Sequence, residues 1–231
     1  RNDGDAVKAL SSATKITAEY ELPWLAHAAM EPMNATARWT PEKCEVWCPT
    51  QNGEAALAAT SEAAELPIEQ CEVYKQLLGG GFGRKLPGQI EIIGQAVKLA
   101  MDSPHPVKVI WPREEEVRQG TYRPQSAVRF KCALGADSKI AAWRSAFSQT
   151  KGFEAGAPLL YDLPEAENTH AEHKAHVITG SWRSVEASQH GFFHECFIDE
   201  LAQAAGADPL EFRKRHLKPG SRAIKVLDAA A

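Results

Sequence analysis

Leu78-Gly79-Gly80-Gly81-Phe82-Gly83-Arg84-Lys85 is the stretch on which the fold turns. Before it, Cys71, Val73, Lys75 and Leu77 alternate with Glu72, Tyr74 and Gln76 at the period of a strand. After it, Ile90, Ile93, Val97 and Ala100 recur at helical spacing. A glycine-rich loop therefore joins a strand to a helix. Four glycines in five positions cost backbone entropy that an ordinary turn has no need to spend, so the loop lets backbone come close to something. Glycine loops serve dinucleotides, phosphates and plain tight turns alike, and this one has neither the Gly-Lys-Ser/Thr ending of a P-loop nor Gly-x-Gly-x-x-Gly spacing.

Working outward, Lys43 to Cys48 carries Val46 and Trp47 and reads as an earlier strand ending in Pro49-Thr50-Gln51-Asn52. Asn52 and Glu54 cap a helix over 54–64 whose one large apolar residue is Leu57. Two strand-end loops can thus face one crevice outside a sheet edge, where ligands tend to bind, and Gln51 would bring both a donor and an acceptor there. The plainer reading of Gln51 is local hydrogen bonding at a helix start. Val107 to Trp111 reads as a short buried strand. Ala127–Leu134 and Ile140–Ser148, joined by Gly135-Ala136-Asp137-Ser138-Lys139, form a hairpin. Segment 149–170 shows no period and is expected as a linker or long surface loop.

Beyond it, Ser181-Trp182-Arg183-Ser184 puts an aromatic and a permanently charged fork at a loop-to-helix junction, which suits an anion; a surface pair with Glu186 is the plainer account. Phe193, Phe197, Leu201 and Ala205 mark an amphipathic helix ending at Gly206. Asp208-Pro209-Leu210-Glu211 opens another helix with an N-cap, a proline at the first position and a capping box, and 218–231 has room for one more. His27 in Ala26-His27-Ala28-Ala29-Met30-Glu31-Pro32 has no assigned role. His170, His173 and His176, three apart, read as edge histidines, and His190 and His194 as helix surface; neither set is read as a metal site.

The totals bound the rest. A 231-residue chain with 44% hydrophobic residues can bury a core. Its Lys+Arg 26 against Asp+Glu 30 are scattered, which speaks against a nucleic-acid partner. No apolar run nears the ~20 residues of a membrane span, and the N-terminus lacks the apolar segment of a secretory signal. Five widely spaced cysteines do not make a disulfide framework, and Cys44 and Cys48 read as buried thiols. The expected architecture is α+β, with mixed sheets and packed helices, in two portions, 1–150 and 151–231.

The order of these motifs resembles the xanthine dehydrogenase and aldehyde oxidase family, in particular the molybdopterin-binding large (beta) subunits similar to isoquinoline 1-oxidoreductase. Tyr20 to Ala35 looks like the segment that opens the first molybdenum-binding region. Glu45 to Gln51, Leu77 to Lys85, Pro106 to Glu116, Tyr122-Arg123-Pro124 and Ser181 to Leu201 follow in the family's order. The resemblance implies a cofactor-binding set of Gln51, Gly80, Gly81, Phe82, Gly83, Trp182, Arg183 and Gln189, with the Gln51 amide at an oxo ligand of molybdenum. It implies a molybdopterin cofactor, commonly the cytosine dinucleotide form in bacteria, held without a protein ligand to the metal. It also implies insertion of a water-derived oxygen at an electron-poor C–H bond of an N-heterocycle or an aldehyde, with electrons leaving through [2Fe-2S] clusters on a small partner subunit. Leu86 stands where the xanthine-oxidising branch has a glutamate, against purine recognition. The family's general-base glutamate lies far downstream of the Ser-Trp-Arg segment, and no residue here is nominated for it. The expectation is an internal block, inactive alone, that works with the remainder of the large subunit or a second chain carrying it. The competing reading is a scaffold or assembly piece that keeps the fold without the cofactor.

Overall fold

The structure, a computed structural model, describes residues 2–3, 5–11, 15–86, 91–150, 159–163 and 165–231. In chain order the elements are β1 (Asn2–Asp3), α1 (Ala6–Ser11), β2 (Lys15–Leu22), β3 (Leu25–Ala26), β4 (Asn34–Trp39), β5 (Cys44–Pro49), α2 (Gly53–Ala64), β6 (Cys71–Gln76), α3 (Glu91–Met101), β7 (Val107–Ile110), α4 (Arg113–Gln119), β8 (Tyr122–Arg123), β9 (Ser126–Leu134), β10 (Ile140–Thr150), β11 (Ala166–His173), α5 (Glu186–Ala204), α6 (Pro209–Arg215) and α7 (Arg222–Ala230). Mixed sheets with helices make the architecture α+β. Among the described residues no helix is long and apolar enough to cross a membrane.

Contacts divide the chain into two compact units that do not follow a single boundary at 150. The first comprises 1–23, 125–174 and 184–231; the second comprises 24–124 and 175–183.

The first unit is a five-stranded sheet in the order β1-β11-β10-β9-β2. Its centre is the expected β9–β10 hairpin, closed where Gly135 N donates to Lys139 O (2.8 Å) and Ser138 takes a left-handed φ of 58°. Phe130 stacks on Phe197 at 4.6 Å, and Trp143 lies edge-on to the same ring at 5.3 Å, so α5 buries its stripe on this hairpin. Asp208 caps α6 as expected, accepting from Leu210 N and Glu211 N, both at 3.0 Å.

Segment 149–170 is not simply a linker. β10 runs on to Thr150, and β11 from Ala166 pairs with it in parallel. β11 reads Ala-Glu-Asn-Thr-His-Ala-Glu-His and buries only Ala166, so backbone pairing rather than an apolar face holds it. Residues 151–158 and 164 lie outside the described residues. His190 and His194 are also not helix surface: His190 is buried and His194 half-buried. Positions 190, 193, 194, 197 and 201 share one helical stripe, so the core-facing phenylalanines carry the histidines in with them.

The second unit has a four-stranded sheet ordered β6-β5-β4-β7 and a two-stranded pairing of β3 with β8. β5 and β6 are parallel, joined through α2, and Pro49 pairs with Gln76. α2 and α3 cover the sheet over a core of Val46, Cys44, Cys48, Ile92, Ile93 and Val97. Asn52 caps α2 through Oδ1, which accepts from Ala55 N at 3.1 Å. Ile90, expected to open α3, lies outside the described residues. β7 is an edge strand rather than a buried one: it pairs with β4 only, and Ile110 is exposed. Antiparallel β4 and β7 place Asn34 opposite Ile110. Residues 31–34, 49–52, 77–85 and 111–113 therefore leave the sheet at one edge.

Candidate functional site

At that edge one side chain ties the two strand-end loops together. Gln51 Oε1 accepts from Gly83 N at 3.1 Å and Lys85 N at 3.2 Å, while Gln51 N donates to Lys85 O at 2.9 Å. Both partners of the side-chain oxygen are N–H donors, which fixes which end of the amide is oxygen. Its NH2 group, on an exposed side chain, is the end available for donation outward. Close approach explains Gly81, since a Cβ there would stand 2.5 Å from Gln51 Oε1.

The ends of the glycine loop are held by a carboxylate that sequence reading did not assign. Glu31 Oε2 accepts from Gly79 N at 2.9 Å and from Lys85 Nζ, Glu31 Oε1 accepts from Asn34 at 3.1 Å, and Glu31 N donates to Gly79 O at 3.0 Å. Lys85 is fully buried. Partial burial pushes the Glu31 carboxyl up, but the bonds from Lys85, Gly79 and Asn34 outweigh it and hold the group below the ordinary glutamate value. One carboxylate thus pins both ends of a seven-residue loop, Gly79 and Lys85.

The Trp-Arg segment meets the same loop. Arg183 N donates to Phe82 O at 2.9 Å. A Cβ on Gly83, whose φ is +109°, would run into the Ser181 carbonyl oxygen. Phe82 holds a φ of 55°, a left-handed conformation rare in a bulky residue, and remains 43% exposed. Trp182 lies 4.8 Å from the His27 ring, with the Arg123 guanidinium 5.9 Å from its centroid. Arg183 is exposed. Gly83→Ala should therefore cost about 2 kcal/mol, from left-handed strain and a clash with backbone that cannot yield. Thermal unfolding checks this: a midpoint within a degree of the parent would contradict it.

Of the residues singled out in the sequence, Gln51, Gly80, Gly81, Phe82, Gly83, Trp182 and Arg183 lie together in the second unit. Gln189 is buried on α5 in the first unit. His170 and His173 are exposed on β11, His176 lies edge-on to Trp24 at 6.1 Å, and among the described residues no group of three or more His, Cys, Asp or Glu could hold a metal ion. All five cysteines are free.

Glycine backbone, a fixed amide and a half-exposed aromatic thus meet at one sheet edge. Residues 1–217 match the molybdopterin cofactor-binding domain family, and the chain belongs to that family, within the xanthine dehydrogenase and aldehyde oxidase group. It is 30% identical over 235 residues to the aldehyde oxidoreductase molybdenum-binding subunit PaoC of Escherichia coli O157:H7, covering 92% of this chain and 30% of that protein. It is 27% identical over 248 residues to the isoquinoline 1-oxidoreductase subunit beta of Brevundimonas diminuta, covering 98% and 31%. The chain thus spans about 30% of the length of these curated relatives. Among solved structures, the aldehyde oxidoreductase of Desulfovibrio gigas superposes with a TM-score of 0.80 at 21% identity, covering 99% of this chain and 28% of the other. The quinoline 2-oxidoreductase of Pseudomonas putida 86 gives 0.80 at 20%, covering 99% and 33%. Both share the fold.

Proposed function

We propose that this chain holds part of a molybdenum–pterin cofactor for an oxidoreductase that hydroxylates an N-heterocycle of the isoquinoline kind, or oxidises an aldehyde, with water-derived oxygen. The observation that carries the reading is Gln51, whose oxygen is committed to Gly83 and Lys85 so that its N–H donors are what it can offer a ligand. The glycines let the loop close on its own neighbours, since a Cβ at Gly80, Gly81 or Gly83 would meet Phe82, Gln51 or Ser181, and this packing leaves the Gln51 amide and the half-exposed Phe82 at the loop's outer face. A molybdenum–pterin cofactor, in its cytosine dinucleotide form, supplies a two-electron redox centre when bound.

The chain's own residues would then divide the work. Gln51 would donate to a polar group of the cofactor, Gly80, Gly81 and Gly83 would hold the loop in the shape that presents it, and Phe82 would shield the cofactor from water. Trp182 and Arg183 would offer an aromatic face and a cationic fork suited to an anionic group, and Gln189 stands as a cofactor contact on the family resemblance alone. The proposed partners are the remainder of a large molybdenum subunit, or a second chain carrying it, and a small subunit bearing [2Fe-2S] clusters. Two relatives are named as subunits, one of them molybdenum-binding, which supports an enzyme of several chains.

Metal and pterin analysis of protein purified from a molybdenum-replete host tests the reading. Molybdenum with a releasable pterin nucleotide is expected, and Gln51→Leu should retain roughly tenfold less, the worth of one hydrogen bond to a polar group. Protein carrying neither molybdenum nor pterin overturns the reading and leaves a scaffold.

A further inference from the structure

The buried histidines differ in what their ring nitrogens face. His216 is satisfied as a neutral ring: Nε2 accepts from Ile140 N at 2.9 Å, and Nδ1 faces the Phe212 carbonyl oxygen at 2.8 Å. His27 is not. Its Nε2 lies 2.7 Å from the Ser181 carbonyl oxygen and its Nδ1 3.1 Å from that of Thr121. Both partners only accept, and a neutral imidazole has one N–H, so one carbonyl must face a lone pair unless the ring carries two protons. His27 also sits on the seam of the site. Its ring lies against Trp182, tilted by 34° at 4.8 Å between centroids, its Nε2 is 3.3 Å from where a Gly83 Cβ would lie, and its partner Ser181 precedes the Trp-Arg pair.

We propose that His27 is a positioning residue, a proton-operated clasp that draws Ser181–Arg183 and Thr121 together and so sets Trp182 and Arg183 against Phe82 and Gly83. What is positioned rests on the cofactor reading; the clasp rests only on the geometry of the second unit. The charged groups around it are Arg84 of the glycine loop and Glu116 of α4, which line the same small cavity, with the Arg123 guanidinium of β8 at 5.9 Å from the Trp182 ring centroid. Burial, then the positive charge of Arg84, work against the imidazolium, while the two carbonyls favour it, and the balance holds His27 below the ordinary histidine value. At neutral pH the ring therefore donates to one carbonyl, and the second bond forms on acidification.

The test is a ring-nitrogen NMR titration of the full chain from pH 7.5 to 5, with the His27 signals assigned from His27→Gln. The expected result is a midpoint below 6.5 with the backbone amides of Phe82, Gly83 and Arg183 moving on the same transition, and loss of that coupled movement in His27→Gln. His27→Phe keeps an aromatic ring against Trp182 without N–H groups. It should unfold at a similar temperature yet hold its 181–183 amides away from their parent positions, and His27→Gln, with one donor pair, should lie between. Ring titration near 6.5 with those amides unmoved, or a His27→Phe protein whose amides match the parent, overturns the clasp. A coupled transition in protein that binds no molybdenum would remove the cofactor reading and leave the clasp standing.

Discussion

Glu31→Ala should lower the stability of the chain by about 4 kcal/mol, because it strands a fully buried ammonium. Lys85 has no exposed surface, and Glu31 is its carboxylate partner. Removing one member of a buried pair leaves an uncompensated charge, typically at a cost of about 3 to 5 kcal/mol. Gly79 N loses its acceptor at the same stroke. Urea denaturation at pH 7.5 measures this, and Glu31→Ala together with Lys85→Met should recover most of the loss, since charge rather than volume is at fault. A single variant within about 1 kcal/mol of the parent would show that the pair does not brace the loop.

The second large effect is acid destabilisation of the first unit. His190 is buried, neither ring nitrogen has a hydrogen-bond partner among the described residues, and His194 lies 5.3 Å from it, centroid to centroid. Burial, and for His190 the neighbouring His194, depress both to about 4 from an ordinary 6.5. The unfolded chain therefore takes up protons below pH 6.5 that the folded chain refuses, so stability is complete above 6.5 and is lost as pH falls toward 4. At about 1.4 kcal/mol per unit, each ring accounts for roughly 2 kcal/mol by pH 5. Denaturation curves at pH 7.5 and 5 should differ by about 4 kcal/mol in the parent and by much less in His190→Leu/His194→Leu. An equal drop in both proteins would assign the acid sensitivity elsewhere.

Much of this architecture was legible because its signals are local. The alternation through Cys71–Gln76, the glycines after it and the Asn52 cap fix a strand, a close-approach loop and a helix without reference to the rest of the chain. Parallel pairing of β5 and β6 then brings Gln51 beside the loop. Glu31 escaped notice because its partner lies 54 residues away, and a lysine next to a glycine run carries no mark of burial. β11 escaped because its order comes from backbone pairing. The unit boundary escaped for a similar reason: residues 24–124 interrupt a sheet whose β2 and β9 pair across them. Pro23 and Pro124 flank that interruption, and two prolines so placed were the available clue. His190 and His194 could have been read as buried from their positions on the Phe193–Phe197–Leu201 stripe.

In the proposed holoprotein Gln51, the glycine loop and the Trp182–Arg183 pair surround one cofactor. A crystal structure of the cofactor-loaded protein tests it most directly. The expected result is the Gln51 Nε2 within about 3.2 Å of a polar ligand on molybdenum, with Phe82 and Gly83 beside the metal and Arg183 across from them. A cofactor bound away from Gln51 and the Gly80–Gly83 backbone would contradict the account.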